Sequence, residues 1–187
     1  MVNPILLDLP EALYAHRVVL KMPGAGRGQL LADAIARSLP ELRLYMSFAQ
    51  RAPTPEECEI ELRRDLAAFI LRERLMFQIF SLDGDTFLGE IGFRRLNWNT
   101  PKFEISYWMD SRFAGQGYMT EAVRTITGFA FSQLSARRVE LHCDERNIGS
   151  RRVAEKAGFV LEGILRNDMT REDGTSVHGC VYAQIAS

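Results

Sequence analysis

The residues best suited to chemistry lie where a strand runs into glycines and then into a helix. They read Phe103-Glu-Ile-Ser-Tyr-Trp-Met109, Asp110-Ser111, then Arg112-Phe113-Ala114-Gly115-Gln116-Gly117-Tyr118-Met119. The first N–H groups of a helix have no partners within it and together carry about half a positive charge. Gly115 and Gly117 remove side chains, so a diphosphate could approach the main chain there. Arg112 either adds charge or shapes the turn. A strand-to-helix turn that uses glycine only for its backbone angles would account for the same residues. Two other phosphate sites are excluded. Gly117 is followed by Tyr118 and Met119 rather than by the lysine of a P-loop. Thr120 stands where a dinucleotide fingerprint needs glycine or alanine. A second cluster, Gly24-Ala-Gly26-Arg-Gly28, reads as a flexible loop.

Other side chains could move protons. Glu104 alternates away from Phe103, Ile105 and Tyr107 and shares a strand face with Ser106 and Trp108. It is a candidate base, or else an ordinary polar residue on an open sheet face. His142 opposes Val139, Leu141 and Cys143 and reads as a surface histidine. Cys143 reads as a buried, inert thiol. Asn147, with Ser150 one turn later, reads as a helix cap followed by an early-turn residue.

The elements that must position these residues follow from periodicity. Arg17 to Lys21 reads as a strand, and Gly28 to Leu39 as a helix closed by Pro40. Thr54-Pro55-Glu56-Glu57 opens a second helix reaching about Arg74. Met76 to Leu82 and Thr86 to Arg94 form a hairpin around Asp83-Gly84-Asp85. Phe103 to Met109 is a strand, Gly117 to Leu134 a helix, and Val139 to Asp144 a strand. Asn147 to Gly158 is a short helix ended by glycine. Phe159 to Arg166 and His178 to Ile185 are two last strands, joined by a turn at Glu172-Asp173-Gly174. Consecutive strands predict mostly antiparallel pairing, and the later strands separated by helices predict local parallel pairing. The class is therefore α+β, with a mixed central sheet flanked by helices, and one domain spans residues 1–187.

Arg112-x-x-Gly115-x-Gly117 resembles motif A of the GNAT N-acetyltransferase superfamily, whose pattern is Gln/Arg-x-x-Gly-x-Gly/Ala. Glu104-Ile-Ser-Tyr-Trp-Met109 through Gly117-Tyr-Met-Thr-Glu-Ala122 resembles the branch that acetylates N-terminal amines of ribosomal proteins. Asn147-x-x-Ser150-Arg-Arg-Val-Ala-Glu-Lys-Ala-Gly-Phe159, continued by Leu161-Glu-Gly163, resembles motif B of that branch. The likeness runs from about Arg17 to the C-terminus. It implies a three-layer fold in which strand Phe103 to Met109 splays from Val139 to Asp144, with the pantetheine arm of acetyl-CoA in the gap. Main chain at Trp108 and Met109 would pair with that arm, and Arg112 through Met119 would hold the diphosphate. Asn147 would also touch the cofactor. Backbone N–H groups near Met109 would donate to the oxyanion, Ser150 would protonate the leaving thiolate, and Glu104 matches the place of a catalytic glutamate in some relatives. The chain departs from the ribosomal branch at Met169, where some members carry a carboxylate base, with Asp168 beside it. His178 stands where a related pattern often has an acid.

A free α-amine has a pKa near about 7.8 against about 10.4 for lysine, so far more of it is neutral at physiological pH. A site without a strong base therefore suits a protein N-terminal amine, although a small-molecule amine or a non-catalytic acyl-CoA sensor uses the same features. The formal net charge of −1 gives no global basic field for nucleic acid. Cys58, Cys143 and Cys180 lie far apart and read as reduced thiols, which with the absence of a basic leader places the chain in the cytoplasm. Neither a metal nor a membrane partner is expected, and the chain is read as a monomer or homodimer.

Overall fold

The computed structural model describes residues 3–171 and 174–186. Its elements are β1 (Ala12–Tyr14), β2 (Val18–Lys21), α1 (Gly28–Arg37), α2 (Leu39–Leu42), α3 (Pro55–Leu71), β3 (Leu75–Ser81), β4 (Phe87–Asn97), β5 (Lys102–Met109), α4 (Tyr118–Gln133), β6 (Arg138–Asp144), α5 (Ile148–Ala157), β7 (Val160–Thr170) and β8 (Ser176–Ile185). The eight strands form one sheet in the order β1-β2-β3-β4-β5-β6-β8-β7. Every neighbouring pair is antiparallel except β5 with β6. The α+β class and the mostly antiparallel sheet expected from the sequence are the observed ones.

The helices cover both faces of this sheet. Met119, Val123, Ile126 and Ala130 of α4 recur at helical spacing and bury against Phe77, Ile91, Phe103 and Leu141. On the other face, Leu31 and Ile35 of α1 and Leu62 of α3 enclose Val19, Phe80, Phe87 and Trp108. The middle of the sheet is therefore buried on both sides, and β3 is apolar and buried along nearly its whole length.

Local chemistry explains most boundaries. Thr54 Oγ1 accepts the Glu57 N–H and Glu57 Oε2 accepts the Thr54 N–H, a reciprocal cap that starts α3. The helix stops at Arg72, which adopts φ 62°. Gly158, at φ 96°, ends α5. Two features differ from expectation. Pro40 does not simply stop a helix; it lies in the first turn of the short helix α2, where proline costs no hydrogen bond. The three-residue strand β1 pairs Ala12–Tyr14 with Val19–Lys21 and was not expected. Glu172 and Asp173 of the anticipated last turn lie outside the described residues.

Candidate active site

The parallel pair β5–β6 is short. Residues Lys102, Phe103, Glu104 and Ile105 pair with Arg138, Val139, Glu140 and Leu141, and pairing then ceases although both strands continue. Beyond Ile105 and Leu141 the strands splay. The Asp110 N–H donates to Leu88 O at 2.8 Å, so its main chain points toward β4. Trp108, two residues earlier, points the same way, and a Cβ on Gly89 would meet its carbonyl oxygen at 2.3 Å. By alternation, Tyr107 and Met109 direct their N–H and C=O groups away from β4, into the gap. Met109 thus turns its main-chain N–H and C=O toward the gap. Trp108 contributes no main-chain group to the gap, because β4 takes that edge, and its indole lies in the core beneath α1 and α3.

The glycine turn closes the wide end of the gap. Asp110 is fully buried and accepts hydrogen bonds from the Arg112 N–H (3.1 Å), the Arg112 guanidinium (2.7 Å) and Arg37 (3.0 Å). Arg112 therefore shapes the turn through Asp110. Gly115 (φ 76°) and Gly117 (φ 88°) both hold left-handed backbone, which a side chain would oppose. Phe113 packs its ring near Tyr118, Ala114 ends a short turn of 3₁₀ helix, and the Gln116 side chain donates back to Arg112 O. Met119 turns its side chain into the core.

The start of α4 differs from the other long helix starts. Gly117 supplies no side-chain cap, and Glu121 is the first residue of α4 whose N–H bonds back to Gly117 O. The N–H groups of Tyr118, Met119 and Thr120 are therefore left for an external acceptor. By contrast, α3 is capped by Thr54, α5 by Asn147, whose Oδ1 accepts the Ser150 N–H at 3.0 Å, and the start of α1 by Glu59, which accepts from the Gly26 and Gly28 N–H groups. Within the Gly24–Gly28 cluster, Glu59 thus occupies the Gly26 and Gly28 N–H groups.

Arg17 was not anticipated at this site. Its N–H and its Nε donate to Glu121 at 2.6 and 2.9 Å, its Nη1 donates to Gln116 O at 3.2 Å, and its guanidinium lies 4.7 Å from the Tyr118 ring centre. It fastens the glycine turn to the start of β2. A basic residue at the end of a strand gives no sequence signal for such a contact a hundred positions away.

Ser150 reaches the gap. Its Oγ lies 2.9 Å from Tyr107 OH, a hydrogen bond that crosses between β5 and α5. Burial raises the Tyr107 phenol above its ordinary range. Cys143 lies nearby, and burial pushes its thiol up to about 11, so it stays protonated. All three cysteines are free and buried. Glu104 is placed elsewhere: it sits at the closed end of the splay, bound to Arg95 at 3.0 Å, and lines a small pocket with Glu140 and His142. Asp168 is exposed on β7.

A larger groove of about 630 Å³ opens on the α1 and α3 side of β4 and β5. Its floor is Trp108 and Glu90, and Phe48 and Leu31 form apolar wall. Glu90 was not among the expected residues. The signal available for it is a lone carboxylate in the run Phe87-Leu-Gly-Glu-Ile-Gly-Phe93. Among the described residues no group of three or more metal-binding side chains converges, and no helix is long and apolar enough to cross a membrane.

Residues 29–160 match the acetyltransferase (GNAT) domain. The chain belongs to the GNAT acetyltransferase family. It is 39% identical over 98 residues to the "Probable N-acetyltransferase YjcK" of Bacillus subtilis, covering 52% of this chain and 54% of that protein. It is 34% identical over 91 residues to the ribosomal-protein-serine acetyltransferase of Escherichia coli, covering 49% and 50%. The chain thus spans about half the length of these two curated relatives. Among solved structures, RimL, a ribosomal alpha-N-protein acetyltransferase in complex with coenzyme A, superposes with a TM-score of 0.87 at 20% identity, covering 94% of this chain and 98% of that one. This GNAT chain therefore shares the whole fold of that protein.

Proposed function

We propose that this GNAT chain transfers the acetyl group of acetyl-CoA to the α-amino group of a protein N-terminus. The observation that carries the reading is the uncapped start of α4 set against the free edge of β5. The three orphan N–H groups of Tyr118, Met119 and Thr120 suit a diphosphate. From there, a pantetheine arm can run along the gap as an added strand against Tyr107 and Met109. The Met109 N–H then faces the thioester carbonyl and stabilises the oxyanion as the amine attacks. The C–N bond forms, the C–S bond breaks, and the sulfur leaves with the electron pair. Ser150, hydrogen-bonded to Tyr107, passes a proton to that sulfur and takes one back from the newly acylated nitrogen, so the thiol and the neutral amide both result.

The N-terminal acceptor is favoured by the relative named for ribosomal-protein serine and by the intrinsic acidity of α-ammonium groups. The test is a screen of N-terminal peptides, lysine peptides and small amines with acetyl-CoA, read by mass spectrometry. Acetylation at peptide α-amines is expected, and modification of small amines alone would overturn this choice.

Ser150→Ala is expected to lower kcat by about 10²-fold, the low end for general acid catalysis, because the Tyr107 hydroxyl remains. Acetyl-CoA affinity should stay within two-fold by calorimetry. Undiminished turnover would remove Ser150 from the chemistry.

A further inference from the structure

The geometry points to Glu90 as the base that receives the acceptor's ammonium in the groove and takes its proton. This deepens the acetyl-transfer reading and rests on it. Gln78, Glu90 and Trp108 stand opposite one another on β3, β4 and β5, so their side chains form one polar row on the face below α1 and α3. The Trp108 indole N–H donates to Glu90 Oε2 at 2.9 Å, which fixes the carboxylate. Arg27 donates to Gln78 Oε1 at 2.7 Å, while Gln78 Nε2 is buried without a partner.

The other carboxylates of the groove are each held in an ion pair. Glu57 pairs with Arg51, Glu61 with Arg64 and Asp65 with Arg74. Among the described residues, no cation forms an ion pair with Glu90. It is thus the groove's one carboxylate left for a ligand cation. A ligand strand in the gap would lie about two strand spacings, roughly 10 Å, from β4. An amine lying over β5 sits between the two and can touch both Glu90 and the thioester.

The step balances. R–NH₃⁺ and Glu90–COO⁻ give R–NH₂ and Glu90–COOH, and the free amine attacks the acetyl carbon. Burial raises the Glu90 carboxyl to about 7, the Asp65 charge across the groove adds to this, and the Trp108 hydrogen bond and Arg94 oppose it. Cys58 of α3 also faces Glu90, and its own thiol is raised to about 11, so it stays neutral. A base near 7 is ionised above that pH, so kcat/KM should rise with pH through about 7.

The test uses whichever amine the wild-type protein acetylates fastest, so an acceptor other than a peptide defeats the N-terminal reading and leaves this one measurable. Glu90→Gln keeps an acceptor for the Trp108 N–H. It should lower kcat/KM by about 10²-fold or more and abolish the rising limb, with acetyl-CoA affinity unchanged. Asp65→Asn should keep the limb and move its midpoint to lower pH. In the wild-type protein the Trp108 indole N–H resonance should titrate near pH 7. Because the folded-state carboxyl lies above its unfolded value of about 4.3, ionisation weakens the fold as pH rises from there through 7. Glu90→Gln should therefore raise Tm at pH 8 and leave it unchanged at pH 4. A Glu90→Gln enzyme within three-fold of wild type with its limb intact would overturn the assignment. So would an indole resonance that does not move between pH 5 and 9.

Discussion

Replacing Gly117 by tryptophan should weaken acetyl-CoA binding by two to three orders of magnitude while leaving the protein folded. Gly117 holds φ 88°, and a left-handed residue other than glycine costs about 1–2 kcal/mol. That cost falls on an exposed turn, which the domain can absorb. The greater effect is on the ligand. An indole at Gly117 would stand over the N–H groups of Tyr118, Met119 and Thr120. Hydrogen bonds to a charged group contribute about 1.5–3 kcal/mol each, so losing two near the low end of that range, as suits an exposed site, removes about 3–4 kcal/mol, or roughly 10²–10³ in Kd. Calorimetry on a variant with an unchanged far-UV spectrum is the check. A Kd within three-fold of wild type would place the diphosphate elsewhere.

Gly89→Ala should destabilise the fold by about 3–5 kcal/mol and abolish activity. A Cβ at this position would lie 2.3 Å from Trp108 O and 2.8 Å from Met109 Cα, both main-chain atoms that cannot swing aside. Gly89 also holds φ 155°. Backbone strain and overpacking each cost about 1–3 kcal/mol. The displaced atoms belong to the segment of β5 that borders the gap, so the loss of order lands on the site. Urea unfolding measures the effect. Gly163→Ala is the matched control, since nothing lies within 4 Å of its added Cβ, and it should change stability by less than about 0.5 kcal/mol. Equal stabilities for the two variants would show that β4 and β5 can separate without cost.

Much of this was legible in the residues. The hairpin around Asp83-Gly84-Asp85, the glycine turn into α4 and the Asn147 cap of α5 are local, and each rests on a rule that acts over a few positions. What could not be read depends on contacts between distant segments. Arg17 meets Glu121 and Gln116, Tyr107 meets Ser150, and Arg37 meets Asp110, and nothing in the spacing of these residues announces their pairing. Glu104 and Glu90 show the difference most clearly. Strand alternation sets Glu104 on one face with Trp108, but cannot show that Arg95 engages it. For Glu90, a single acid in an apolar strand carries no motif, yet the sheet sets it beside Trp108 at the base of the groove.

The edge of β5 that faces the gap is built from main chain alone. Its donors and acceptors at Tyr107 and Met109 are peptide groups, common to every amino acid but proline. A survey that trims side chains one at a time would score Met109 as dispensable, even though its amide is proposed to meet the thioester. Exchange of that single linkage for an ester, which deletes the N–H and keeps the side chain, would expose a contribution that conventional mutagenesis passes over.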